Sequence, residues 1–146
     1  MTVWYAHSRN TVGKHHRLRD HLTSVSTLAR DFLDGYPGAE EAALAGMLHD
    51  LGKYGDRFQA RLRGEESGLD HWSQGAWVAL SQHRAVAAAL AIEGHHIGLQ
   101  QGNKNSLGRL LPDNLTTGTP LGLQLSDTNY ERLLGRGHAP GAAASA

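Results

Sequence analysis

The sequence contains no cysteine. That absence excludes disulfides and thiolate metal sites, and it suits a reducing cytoplasm. A transmembrane span is lacking too. The longest apolar stretch, Ala85 to Ile92, falls far short of the ~20 residues that cross a bilayer, so no membrane partner is expected. The opening residues Met1-Thr2-Val3-Trp4-Tyr5 lack the basic-then-apolar form of a signal peptide. Charge of one sign is missing as well: fourteen Lys and Arg balance fourteen Asp and Glu. Any pull toward nucleic acid or an anionic surface must therefore come from a local patch. Convincing strand patterns are missing, because no segment alternates apolar and polar residues. What remains is a chain of 146 residues, one domain by length, 40% hydrophobic and 19% charged, an ordinary globular composition.

Helical spacing dominates the first hundred residues. In Lys14 to Asp34, residues Leu18, Leu22, Val25, Leu28, Ala29, Phe32 and Leu33 recur at three- and four-residue intervals, which predicts an amphipathic helix. Gly35-Tyr36-Pro37-Gly38 breaks it. A second helix is expected over Ala39 to Leu51, with Glu40 and Glu41 in its first turn and Gly52 as its stop. A short third runs over Asp56 to Arg63, with Asp56 as N-cap. A fourth covers Asp70 to Gln82. A fifth covers Arg84 to Glu93, with Gly94 and Gly98 bracketing His95-His96-Ile97. Beyond Gly102 the chain turns rich in Asn, Thr, Gly and Pro, with a weak helical turn near Ser106–Leu111 and another near Tyr130–Leu134. The expected architecture is an all-α bundle with an irregular C-terminal segment. Residues 1–134 form the domain, and 135–146 form a disordered Gly/Ala tail.

Against these scarcities stands histidine. Ten in 146 residues compares with an average usage of roughly 2%, and histidine is the commonest metal ligand. The informative segment is Leu48-His49-Asp50-Leu51-Gly52-Lys53. A neutral imidazole and a carboxylate on adjacent residues can share one divalent cation, and the two carboxylate oxygens can bridge a pair. Adjacent helical residues point ~100° apart, so both reach one ion most easily where the helix ends. Alone the pair is weak. It is joined by His21 on the first helix, His71 at the start of the fourth, and His95 and His96 at the end of the fifth. His21, His49, His71 and His95 are 28, 22 and 24 residues apart, about one helical hairpin each, which would return a ligand repeatedly to one end of a bundle.

Other histidines read more blandly. His15-His16 beside Lys14 and Arg17 looks like a solvated basic face, His83 like a helix-end residue, and His138 like an inert tail residue. Trp4, Trp72 and Trp77 read as core rather than as platforms for nucleobases. Two basic clusters, Arg9, Lys14, Arg17 and Arg19, and Arg57, Arg61 and Arg63, are candidates for holding a phosphate backbone, with Lys14, Arg17, Arg57 and Arg61 the foremost; solvated helix faces are the default for both.

The ordered set resembles the HD superfamily and, more narrowly, the HD nuclease domain of the type I CRISPR nuclease-helicase. The pieces are Tyr5-Ala6-His7-Ser8, His21-Leu22, Leu44 through Tyr54, Phe58-Gln59 with Leu62, Asp70-His71-Trp72-Ser73-Gln74-Gly75-Ala76, and Ile92 through Leu99. They cover roughly residues 4 to 102, in order and at the right distances. The resemblance implies a helical domain that cuts single-stranded DNA with one or two divalent ions (Mn, Ni, Fe, Co or Mg). It implies His21, His49, Asp50, His71, His95 and His96 as ligands, Asp50 as the bridge, and Lys53 near the scissile phosphate. The family also carries a later aspartate; here Asp127 is the better of two candidates, ahead of Asp113. A shortened domain, a truncation before that ligand, or a rearranged C-terminal end all fit. The helicase part is absent, so a separate helicase and the RNA-guided surveillance complex are implied partners. Two alternatives stand beside this reading: an HD phosphohydrolase of nucleotides or other small phosphoesters, and a catalytically weak remnant that binds nucleic acid or protein.

Overall fold

The computed structural model describes residues 2–116 and 122–137. Helices dominate it, as expected. Leu18–Phe32 (α1) and Ala39–Leu48 (α2) pack side by side. Leu18 and Leu22 of α1 and Leu48 of α2 are buried, and Ser26 Oγ donates to Ala43 O at 2.8 Å across the contact. Small residues at this seam let the two helices approach closely. α1 is shorter than the Lys14 to Asp34 span its apolar spacing predicted, and Leu28 and Phe32 of that spacing are exposed.

α2 ends at Leu48, and a 3-10 turn over Leu51–Tyr54 follows. Gly52 does not act as the helix stop that the sequence suggested. Its N–H donates to His71 O at 2.9 Å, and a Cβ there would lie 2.4 Å from that same oxygen. The glycine is required by a backbone-to-backbone contact. Asp56–Leu62 (α3) follows, capped by Gly55 rather than by Asp56.

Ser73–His83 (α4) and Val86–Ile97 (α5) complete the main body. Gly75 sits against the end of α2, where a Cβ would lie 1.9 Å from Leu48 O. Glu41 Oε1 accepts from Ala88 N at 3.0 Å, so α2 caps the first turn of α5. Ala76, Ala79, Ala88, Ala89 and Ile92 are buried between these helices with Leu48 and Leu51. α5 runs through His95 and His96, whereas the sequence placed both beyond its end; Gly94 is accommodated inside the helix.

Two features were not legible beforehand. Leu69–Asp70 (β1) and Gln124–Leu125 (β2) pair in parallel, and Tyr5 bridges Arg17 antiparallel. Lys104–Gly108 (α6), Pro112–Thr116 (α7) and Tyr130–Gly137 (α8) fill the C-terminal part. α8 docks on the 3-10 turn, with Arg136 Nη1 donating to Tyr54 O at 2.7 Å and meeting Asp56 Oδ1 at 2.8 Å. Gly135 to Gly137, expected in the tail, extend this helix instead, while residues 138–146, including His138, lie outside the described residues. Among the described residues no helix is long and apolar enough to cross a membrane.

Candidate metal centre

Asp50 lies where α2 has ended, at φ −116° and ψ 26°. Freed from helical geometry, its carboxylate turns inward and is 3% exposed as a residue. Its two oxygens face different partners. Oδ2 is 3.2 Å from His21 Nε2 and 3.2 Å from His49 Nε2. Oδ1 is 3.2 Å from His71 Nε2 and 3.6 Å from His95 Nε2. His96 Nε2 lies 2.9 Å from His71 Nε2. The ligand atoms form two groups joined at Asp50, one with His21 and His49 and the other with His71, His95 and His96, each within 4.8 Å.

Each side chain has a local reason to be there. His21 occupies the first turn of α1 and meets α2 across the small-residue seam. The Gly52 to His71 backbone bond sets His71 opposite Asp50. Asp70, fully buried, accepts from Trp72 N at 3.0 Å and Ser73 N at 2.9 Å, which fixes the turn that carries His71. Trp72 stacks on His96 with centroids 4.5 Å apart, and Phe58 packs edge-on to His71 at 4.9 Å.

The free nitrogens are also dictated. His49 Nδ1 is held by Gly46 O at 2.7 Å, and His95 Nδ1 is held by Ile92 O. With Nδ1 carrying a proton toward a carbonyl, the neutral ring leaves the Nε2 lone pair for a metal ion beside Asp50, the arrangement that orients metal-bound imidazoles. Asp50 Oδ1 is buried and, although His71 Nε2 lies 3.2 Å away, makes no well-aligned hydrogen bond, and such an oxygen ordinarily requires a counterpart. Imidazole nitrogens mixed with one carboxylate suit borderline divalent cations such as Mn, Fe, Co, Ni and Zn. The residues present therefore fit a divalent metal centre.

Electrostatics agree. Burial acts to raise the Asp50 pKa, but His21, His49, His71 and His95 outweigh it and hold the carboxyl far below its usual range. Burial lowers His71 more than Asp50 raises it. Burial, with repulsion from His95 and His71, lowers His96 to about 4. Both are thus neutral at pH 7, as ligation requires. His49 is raised: burial opposes its charge, but the hydrogen bond to Asp50 prevails.

Lys53 is buried rather than the exposed helix-end lysine of the default reading. Its Nζ is 2.9 Å from Asp50 Oδ2 and 3.1 Å from Ala6 O. Asp127 does not join the cluster. Arg132 binds both its oxygens, with contacts of 2.7 Å, and Asn129 N donates to Oδ1 at 2.8 Å. Its carboxylate is consumed in capping the approach to α8, so the structure does not support it as a ligand. Asp113 is exposed and outside the grouped ligands.

The basic clusters divide. Lys14 and Arg17 are exposed. Arg57 is bound to Glu66 at 3.2 Å and Gln124 at 2.8 Å, and Arg61 lies 5.5 Å over the Phe58 ring. The α3 arginines thus do not form a free basic face. A cleft of ≈ 870 Å³ is lined by Trp4, Tyr5, Arg9, His15 and Gln59 among others, and by none of the Asp50 cluster. The cluster itself reaches solvent at His95 and His96, which are exposed.

Sequence reasoning missed the support. Ser126 Oγ donates to Gly52 O at 2.6 Å, Ser126 N donates to Asp70 O at 2.9 Å, and Gln74 Nε2 donates to Ser126 Oγ at 3.0 Å. One serine thus ties the turn after Asp50 to the turn before His71. Nothing local in Leu125-Ser126-Asp127 signals that role.

In comparison with known proteins, the family model described as the HD domain matches residues 5–121. No curated protein and no solved structure matches the chain.

Proposed function

The chain belongs to the HD-domain family, whose members are in general metal-dependent phosphohydrolases, and on that premise we propose that it cleaves single-stranded DNA as a metal-dependent phosphodiesterase in type I CRISPR interference. The observation that carries the hydrolase is the division of Asp50, with one oxygen toward His21 and His49 and the other toward His71 and His95. Divalent ions held there supply Lewis-acid chemistry, lowering the pKa of water and neutralising charge on phosphoryl oxygens. Asp50 bridges the two ligand groups. Lys53 Nζ holds Oδ2 of that carboxylate at 2.9 Å, and its charge would help neutralise what develops on a phosphoryl oxygen bound beside Asp50. His95 and His96 form an open rim, which suits a phosphodiester within a long chain better than a closed nucleotide pocket would. The choice of DNA rests on the flanking segments, from Tyr5-Ala6-His7-Ser8 to Ile97-Gly98-Leu99, that resemble the CRISPR nuclease domain. A separate helicase and the RNA-guided surveillance complex are the partners this role needs.

The test is direct. The chelator-stripped protein is incubated with circular single-stranded DNA and with nucleoside phosphates, each with manganese, nickel, magnesium or no metal. Cutting of the circle is expected, lost by ~10³-fold or more in Asp50→Ala and His49→Ala, given the usual cost of removing a charge-stabilising group. Turnover of nucleotides alone would sink the DNA reading in favour of a small-phosphoester hydrolase. A third reading, a weakened domain that binds rather than cuts, is favoured by the engagement of Asp127 with Arg132. Metal retention without turnover of either substrate would favour it.

A further inference from the structure

The N-terminal segment carries two histidines that the centre does not use. Ala6 N donates to His16 O at 2.9 Å and Leu18 N donates to Trp4 O at 2.8 Å, around the Tyr5 bridge to Arg17. This short antiparallel ribbon sets His7 beside His16 at the start of α1. Extended residues alternate faces, so His15 and His16 point apart. His15 stacks on Tyr5, with centroids 4.2 Å apart, and accepts from Arg9 Nε at 2.7 Å. His16 turns instead toward His21. Ring centroids are 5.5 Å from His16 to His21, 5.4 Å from His7 to His21, and 6.5 Å from His7 to His16. One ligand atom from each of the three lies within 4.8 Å of the others.

We propose that His7, His16 and His21 hold a further transition-metal ion, outside the Asp50 centre and adjoining it through His21. Three imidazoles on a tetrahedral ion with bonds of about 2.0–2.1 Å stand roughly 3.4 Å apart. His7 and His16 are exposed, so modest rotation of two solvated rings closes the difference. The donor set names the class of ion. All three donors are imidazole nitrogens, which suit zinc, nickel, cobalt and copper, and there is no carboxylate or carbonyl to attract magnesium or manganese. The Asp50 centre, with its carboxylate, accepts both classes. The two sites therefore differ in selectivity. The ribbon is also tied to the centre, since Ala6 O accepts from Lys53 Nζ at 3.1 Å. With both sites filled, His21 serves as a bridging imidazolate, Nε2 toward Asp50 and Nδ1 toward the outer ion, its ring proton released to solvent, so occupancy of one site alters the affinity of the other.

The experiment measures metal bound per chain. Stripped full-length protein is dialysed against nickel, cobalt or manganese, and bound metal is counted by mass spectrometry. The wild type is compared with the double variants His7→Ala/His16→Ala and His95→Ala/His96→Ala. Far-UV circular dichroism monitors folding, and a His7→Gln/His16→Gln pair serves as a second, bulkier replacement. The expected result is one nickel or cobalt ion fewer per chain in the His7/His16 variants, with manganese loading unchanged. The His95/His96 variant retains the outer ion. In the cobalt-loaded protein, the visible absorption assigned to the outer site disappears with His7 and His16. Equal nickel loading in wild type and both folded His7/His16 variants overturns the proposal while leaving the Asp50 centre standing. Failure of the centre itself is distinguishable, because manganese would then not bind the wild type.

Discussion

Residues 18–97 and residues 98–137 are built on different terms. The first stretch is helices with apolar spacing, and the one carboxylate and five imidazoles gathered at the centre all come from it. The second is short helices, polar caps and a two-residue strand, and it contributes no ligand among the described residues. Yet the second stretch holds the first in register. Ser126, Leu125 and Arg136 reach back to Gly52, Asp70 and Tyr54. Chemistry sits in one half, and part of the rigidity that positions it is supplied by the other.

Glycines offer the sharpest way to test that division. In Gly75→Ala, the new Cβ would meet Leu48 O at 1.9 Å, backbone against side chain with nothing flexible to give way. We expect a loss of ~3 kcal/mol or more in urea unfolding, at the upper end for overpacked cores. Gly135→Ala on α8 meets nothing within 4 Å and is expected to gain up to ~1 kcal/mol from helix propensity. Equal effects at the two positions would break the contrast.

Ser126→Ala comes next. It removes two buried hydrogen bonds, to Gly52 O and from Gln74 Nε2, each worth ~0.5–1.5 kcal/mol, while Gly55 N still donates to Gly52 O, and Gln74 Nε2 to Asp70 O and Asp127 O. If the serine braces the site, metal affinity falls along with stability. A stability loss with unaltered affinity would confine Ser126 to packing.

A pH series on metal-free protein gives a smaller effect with a definite sign. His96 folds with a pKa of about 4, below its ordinary 6.5, and His71 is lowered as well. Between those values the unfolded chain binds more protons, so their contribution to stability is lost as pH falls from 6.5 toward 4. His49 is raised and runs the other way: its contribution is present below 6.5 and is lost as pH rises through its folded value. His96→Ala is expected to flatten the acid-side decline in melting temperature; an unchanged slope would remove His96 from that account.

Asp127→Asn is the smallest. It weakens the contact with Arg132 but leaves metal per chain unchanged. Loss of an ion in this variant would show that the C-terminal part supplies a ligand after all.

The legibility of the sequence followed the range of the interactions. His49-Asp50 could be singled out because its two side chains lie on adjacent residues, and His21, His71, His95 and His96, which the fold gathers around Asp50, because they recur about one hairpin apart. The helices of the first stretch could be read because apolar periodicity is local. The end of α5 was misplaced because Gly94 looks like a breaker, whereas its neighbours hold it in the helix. β1 and β2 are two residues each and pair across more than fifty residues, so no alternation marks them. Asp127 was chosen as an available acid, and only the approach of Arg132 reveals its commitment. His16 reads as solvated and is exposed; what the side-chain pattern does not mark is the backbone pairing that brings His7 to within 6.5 Å of it, ring centroid to ring centroid.

The ligands of the Asp50 centre are dealt out along the chain from His21 to His96. During synthesis the N-terminal helices emerge first, and domains tend to fold as units once enough chain is available. A nascent chain that has released only α1 and α2 holds two imidazoles and a carboxylate, but nothing for the other oxygen of Asp50. The complete constellation comes into being only when α5 has been made and has docked. The Asp50 centre is therefore incomplete until α5 docks, so that an ion held on both sides of Asp50 reports on completed folding.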